Sequence, residues 1–256
     1  MAVDCKWTHR GAGAMVALVT LGLALTGCKD EKNTKPIKQV KKDEQPAIAK
    51  LTPRMQGEIP KKMREVASTP EMIAEGKRLF GTCAACHGDK ARGRAGMGPR
   101  LNSKSFLQAA SDDMLIRTIS HGRAGTTMVP WRSQLTQSQI HSIVAYLRSL
   151  APSNPAALNE KRLKGDLKTG AHLFRHICAA CHGRAGGGYQ ETANGTGIGR
   201  RAFLTSVSNG YLRYVIKNGK DLTKMRPFKL HSKVAVANLT NKQIDDVIVY
   251  LRTRAW

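Results

Sequence analysis

The sequence predicts an all-α protein built from two tandem copies of one helical module. Three observations carry this expectation. The second half of the chain repeats the first: Gly76, Leu79 and Phe80 recur at Gly170, Leu173 and Phe174, and Leu135, Thr136, Gln139, Ile140, Tyr146 and Arg148 recur at Leu239, Thr240, Gln243, Ile244, Tyr250 and Arg252. The apolar positions inside each copy keep helical spacing behind capping residues. No convincing pair of strands appears in either copy.

The chain has 256 residues and a formal net charge of +24 at pH 7. That charge is too large for a globule with no charged partner. Residues 1–27 read as an export signal: Lys6 and Arg10 precede an uncharged run from Gly11 to Gly27. The run is at the lower limit for a bilayer span, so an uncleaved single anchor is the alternative. Leu25-Thr26-Gly27-Cys28 resembles the bacterial lipoprotein signal, which implies lipidation of Cys28 and a protein held on the periplasmic side of a membrane. Residues 28–68 are rich in Lys, Glu, Gln and Pro and poor in aromatics, the composition of a flexible tether that cannot offset its ordering entropy.

Module one spans 69–150, a linker 151–164, and module two 165–256. Pro70 suits the first helical position after Thr69, and Glu71 favours the positive helix end. Gly76 and Gly170 let the first helix of each module cross closely against the last, near Phe80 and Tyr146 in module one. Ser111 and Ser208 are the expected N-caps of a middle helix, and Gly122 and Gly219 its stops. Thr136 with Gln139, and Thr240 with Gln243, fit the capping box. The repeat offset grows along the chain from 94 to 95, 97 and 104. These insertions are expected to fall in loops. A module this small, with only 5% aromatics in the chain, has a thin core that needs help to fill.

Four of the six cysteines form two copies of one phrase, Cys83-Ala84-Ala85-Cys86-His87 and Cys178-Ala179-Ala180-Cys181-His182. Cys-x-x-Cys-His is the c-type haem attachment phrase. Two thiols at this spacing can form thioethers with the two vinyl groups of one porphyrin edge, and the next residue sets an imidazole beneath the iron. A zinc knuckle needs four ligands, usually two such pairs together. A redox dithiol needs a βαβ setting. Each pair here has its own histidine, its own module and an export signal upstream.

The modules resemble class I cytochromes c, and residues 71–256 together resemble membrane-tethered di-haem cytochromes c. The resemblance implies a helical fold around each of two covalent haem c groups, with a methionine on the far face of each iron about 40 residues after the histidine. Met128 and Met225 stand there, in the polar, proline-flanked loops Thr127–Pro130 and Lys224–Pro227; Met225 is the only methionine of module two. Met97 is too near His87 in sequence, and Met114 reads as core. The resemblance also implies a backbone carbonyl behind each proximal histidine. Gly98-Pro99-Arg100-Leu101 matches the family's segment; module two has no proline there, which points to the Gly195–Gly199 stretch instead.

Irons closed on both faces by His and Met pass single electrons and leave no vacancy for a substrate. The expected function is therefore an exported relay between respiratory redox partners, with no catalytic residues and no small-molecule substrate. Arg117, Arg123 and Arg132 near the Met128 loop, and Lys217, Lys220, Lys224, Arg226 and Lys229 near the Met225 loop, would steer acidic redox proteins or a respiratory membrane complex. Nucleic acid is not an expected target of an exported haem protein. The alternatives are a di-haem peroxidase-type enzyme, which needs one iron without its methionine, and a fixed electron-transfer subunit of a larger respiratory complex.

Overall fold

The helices begin where the caps are. In the computed structural model, which describes residues 50–59 and 63–256, Thr69 caps α1 (Pro70–His87) by accepting from the Met72 amide, with Pro70 in the first turn and Glu71 beside it. The expected signal, Cys28 and the tether up to residue 49 lie outside the described residues. Among those described, no helix is long and apolar enough to cross a membrane.

Module one continues with α2 (Lys104–Ala109), α3 (Asp112–His121) and α4 (Gln137–Ser149). Ser111 caps α3 through the Met114 amide, and Gly122 at φ 63° ends it. Thr136 and Gln139 close a full capping box on α4. Module two repeats the set with α5 (Leu167–Leu173), α6 (Ala179–His182), α7 (Arg201–Leu204), α8 (Asn209–Asn218) and α9 (Asn241–Thr253). Ser208 caps α8, and Thr240 with Gln243 boxes α9. The described chain contains no strand, only the isolated bridges Arg94–Gly98 and Lys229–Leu239. The all-α expectation holds.

Each module is organised by a crossing of its first and last helices. A Cβ on Gly76 would lie 1.9 Å from the Ser142 carbonyl oxygen, and one on Gly170 would lie 1.9 Å from that of Asp246. Only a residue without a side chain permits this approach. It brings Phe80 to Tyr146 (5.4 Å between ring centroids) and Phe174 to Tyr250 (5.2 Å). Leu107, Val144, Leu204 and Ile248 are fully buried in the cores.

One insertion does not fall in a loop. Between Phe174 and Cys178 module two carries one more residue than module one, and the helix absorbs it as a π-helical turn, Phe174–Cys178, between α5 and α6. Here the glycine crossing and the Cys-x-x-Cys-His phrase sit on one continuous helix, so no loop lies between them to take up the extra residue. Bulges of this kind concentrate at functional sites. The larger insertion, between Pro227 and Leu239, does form an exposed loop, with Leu230, Val234 and Val236 open to solvent.

The last part of the expected tether is packed. Met55 is buried, the Gln56 carbonyl accepts from Asn209 of module two (2.7 Å), and Arg64 donates to the Leu107 and Ala110 carbonyls of module one. The Asp112 carboxylate accepts from the Glu65 and Val66 amides at 2.7 and 2.9 Å. Buried acceptors require donors, and this segment supplies them. The linker is likewise held: the Ala156 amide donates to the Gln108 carbonyl, and Glu160 accepts from Ser208 and Gly210. Both modules lie within a single compact unit.

Candidate functional site

Cys83, Cys86 and His87 occupy the last turn of α1, and Cys178, Cys181 and His182 lie on the π-helical turn and α6. All four thiols are free, half-buried except for the exposed Cys181. Burial pushes the Cys83 thiol up and the Cys178 thiol to about 12. That is opposite to the lowered thiol of a reactive dithiol. Among the described residues no three His, Cys, Asp or Glu side chains converge as a metal cage, so a zinc knuckle finds no geometry here.

Each helix stops at a left-handed glycine, Gly88 (φ 71°) and Gly183 (φ 84°), and the chain then returns beneath the histidine. His87 Nδ1 lies 3.0 Å from the Pro99 carbonyl oxygen, and His182 Nδ1 lies 2.8 Å from that of Thr196. A carbonyl only accepts, so both Nδ1 atoms carry the proton and both Nε2 atoms keep a lone pair. Pro99 and Thr196 are equivalent in the repeat. The glycine before each packs against the helix end: a Cβ on Gly98 would lie 2.4 Å from the Cys86 carbonyl oxygen, and one on Gly195 would lie 2.3 Å from that of Cys181. Burial lowers both imidazoles below their ordinary range, which keeps them neutral; the Pro99 and Thr196 carbonyls oppose this, and the Lys220 charge adds to the lowering at both.

Module two lacks the proline that stiffens this return in module one. Two side chains that the sequence reading did not single out replace it. Glu191 accepts from the Ala185 amide (3.0 Å) and the Gly187 amide. The Trp256 indole donates to the Ala185 carbonyl (2.7 Å), its backbone pairs with Gly199 and Arg201, and Arg200 stacks over its ring at 4.1 Å.

The methionine loops are copies of one another. The Arg123 amide donates to the Met128 carbonyl and the Lys220 amide to the Met225 carbonyl, both at 2.8 Å. The Thr126 hydroxyl donates to the Arg123 carbonyl and accepts from the Met128 amide, and Thr223 does the same for Lys220 and Met225. Gly122 and Gly219 lie so close to these carbonyls that a Cβ on either would come within 2.4 Å. Of the rival methionines, Met97 is exposed and Met114 is buried in the core.

The loops also meet the opposite module. Asp221 accepts from the Ser103 hydroxyl and the Lys104 and Ser105 amides at the start of α2. Gln190 donates to the Gly125 carbonyl at 2.8 Å. A cavity between the modules, lined by Ile59, Met63, Met114 and Tyr211, shares no residue with either site.

Two neutral imidazoles with free Nε2 lone pairs, each beside a pair of unbonded thiols on the same helix, fit an iron porphyrin joined by two thioethers. Sequence comparison with known proteins agrees. The family model described as cytochrome c oxidase, cbb3-type, subunit III matches residues 71–147 and 165–251. A cbb3-type cytochrome c oxidase subunit CcoP from Rubrivivax gelatinosus is 29% identical over 195 residues, covering 72% of this chain and 60% of that protein. A subunit FixP from Azorhizobium caulinodans is 33% identical over 144 residues, covering 50% of this chain and 46% of its own length. The chain thus spans about half the length of the curated relatives it matches. A solved structure, the reducing HAO-like protein complex of Kuenenia stuttgartiensis, is 21% identical with a TM-score of 0.46, over 75% of this chain and 100% of that one.

Proposed function

We propose, for a chain that belongs to the cytochrome c oxidase cbb3-type subunit III family, that it is a di-haem c-type electron relay of a respiratory membrane system. Cys83 with Cys86, and Cys178 with Cys181, hold two haem c groups by thioethers. His87 and His182 would ligate the irons through the Nε2 atoms that the Nδ1 bonds leave free, with Met128 and Met225 as the second ligands. The haem irons supply one-electron chemistry between Fe(II) and Fe(III). The chain does the rest: the Pro99 and Thr196 carbonyls fix the tautomer and raise the basicity of each imidazole, and the matched loops present each methionine in one backbone geometry.

The single observation that carries this reading is that duplicated hydrogen bond. Two histidines in register donate Nδ1–H to carbonyls in register, directly after paired free thiols. The protein is read as a carrier, since irons held by His87 with Met128 and by His182 with Met225 would have no open site for oxygen or peroxide. Its partner is a respiratory membrane complex or an acidic redox protein steered by the +24 charge. Lipidated Cys28, with a plain N-terminal anchor as the alternative, holds it to the periplasmic face.

Two measurements test this. Haem quantification on the pure protein gives two covalent haems per chain; one or none ends the reading. Met225→Ala removes the methionine-to-iron charge-transfer band of one haem and leaves the other; an unchanged spectrum means that another group ligates that iron.

A further inference from the structure

The two methionine loops carry one cation each at the equivalent position, Arg123 after Gly122 and Lys220 after Gly219. Each cation crosses to the other module. The Arg123 guanidinium lies over the Phe203 ring at 4.8 Å, and the Lys220 ammonium over the Phe106 ring at 4.4 Å. Phe106 and Phe203 are themselves equivalent, so the arrangement is reciprocal, and both rings are buried. Among the described residues neither cation has a carboxylate within ion-pair distance; Arg123 reaches only the Thr118 hydroxyl, at 3.3 Å. Asp221, next to Lys220 and held by Ser103, Lys104 and Ser105, offsets part of this charge, so the three groups together leave net positive charge in the seam between the modules.

We propose that Arg123 and Lys220 form a shared cationic seam that raises the reduction potentials of both haems together. The inference rests on the di-haem reading. Fe(III) carries one positive charge more than Fe(II), so a nearby fixed cation favours the reduced iron. Each cation bears on both sites because its amide holds the carbonyl of one methionine loop while its charged group lies over a ring of the other module. One residue thus tunes two irons, and a relay keeps its two potentials in step when the seam changes.

The test is an optical potentiometric titration of the full di-haem protein below neutral pH, comparing wild type with Lys220→Gln, Arg123→Gln, Lys220→Arg and Asp221→Asn. Removing the Lys220 charge is expected to shift the Fe(II)/Fe(III) ratio at each iron toward Fe(III) by roughly tenfold, which is ~59 mV for one electron. Both waves fall; Lys220→Arg restores them. Arg123→Gln likewise lowers both waves and carries the test on its own if Lys220→Gln fails to load both haems. Asp221→Asn loosens the same module contact but removes a negative charge, so its potentials stay or rise. A fall in one wave alone, or an equal fall in Asp221→Asn, overturns the seam in favour of a local or purely mechanical effect. The charge-transfer bands are read alongside. If wild type lacks two His/Met haems, the di-haem reading fails, and that failure is seen before any variant is measured.

Discussion

Gly76 and Gly81 lie on the same helix, and the same substitution at the two should have opposite signs. Intrinsic helix propensity favours Ala over Gly by about 1 kcal/mol at an exposed interior position. At Gly81 a new Cβ meets nothing within 4 Å, so Gly81→Ala should realise most of that gain. At Gly76 the Cβ would stand 1.9 Å from the Ser142 carbonyl oxygen, with the Tyr146 Cβ at 2.9 Å. Ordinary contact begins near 3.4 Å, so α1 and α4 must separate by about 1.5 Å. That opens the Phe80–Tyr146 contact and the buried face of α4, where a gap of 0.5–1 Å already forfeits a quarter to a half of each dispersion contact. Overpacking of this kind costs about 1–3 kcal/mol, and backbone on both sides leaves little room to relax. Net of propensity, Gly76→Ala should destabilise by about 1 kcal/mol, a fall of roughly 2–4 °C in apparent Tm for a chain of this size. Thermal melts followed by circular dichroism on wild type and both variants decide it. A Gly76→Ala protein that melts at or above wild type refutes the crossing geometry, and with it the reason for the glycine in both modules.

Three further outcomes follow from the packing. Arg148→Met strips the partner from Asp112, which is 1% exposed and bound by Arg148 at 2.7 and 3.0 Å; the loss should be about 3 kcal/mol, read as a lowered denaturant midpoint, since the Glu65 and Val66 amides remain. Trp256→Ala removes the hydrogen bond to Ala185 and the stacking of Arg200, so limited proteolysis should accelerate within residues 184–199 and leave module one untouched. At Asp221 partial burial opposes ionisation, but the Ser105, Ser103 and Lys104 donors outweigh it and hold the carboxyl at about 2, below its usual 3.8. A depressed carboxylate stabilises above its unfolded pKa and loses that stabilisation as pH falls through the folded one. The melting difference between wild type and Asp221→Asn should therefore be full above pH 4 and close as pH falls toward 2.

Much of the fold was legible because its signals are local. Thr69, Ser111, Thr136, Ser208 and Thr240 all cap the helices that their sequence context announces, and the duplicated glycines mark the helix crossings. The Cys-x-x-Cys-His phrases and the Gly98-Pro99 segment placed module one's site, and the repeat pointed to the stretch holding Thr196. What escaped was long-range. The π-helical turn was signalled by the step in offset from 94 to 95, yet only the continuity of the helix says that no loop was there to take it. Glu191 and Trp256 do the work of a missing proline through contacts with no sequence pattern. Arg252 is fully buried against Asn209 and the Leu204 and Val207 carbonyls; the repeat marks it as the partner of Arg148, but neither arginine's burial is signalled by its own sequence context. Residues 50–59 and 63–66 read as tether by composition and pack because particular buried polar groups await them, the Asp112 carboxylate taking the Glu65 and Val66 amides.

What the two irons bind at rest separates a carrier from a catalyst. Carbon monoxide added to the fully reduced protein, and peroxide to the oxidised one, should leave both haem spectra unchanged over a potentiometric titration that resolves two one-electron waves. Ready ligand binding at either iron, with turnover of the oxidant, would contradict the carrier reading and move the protein from carrier to catalyst.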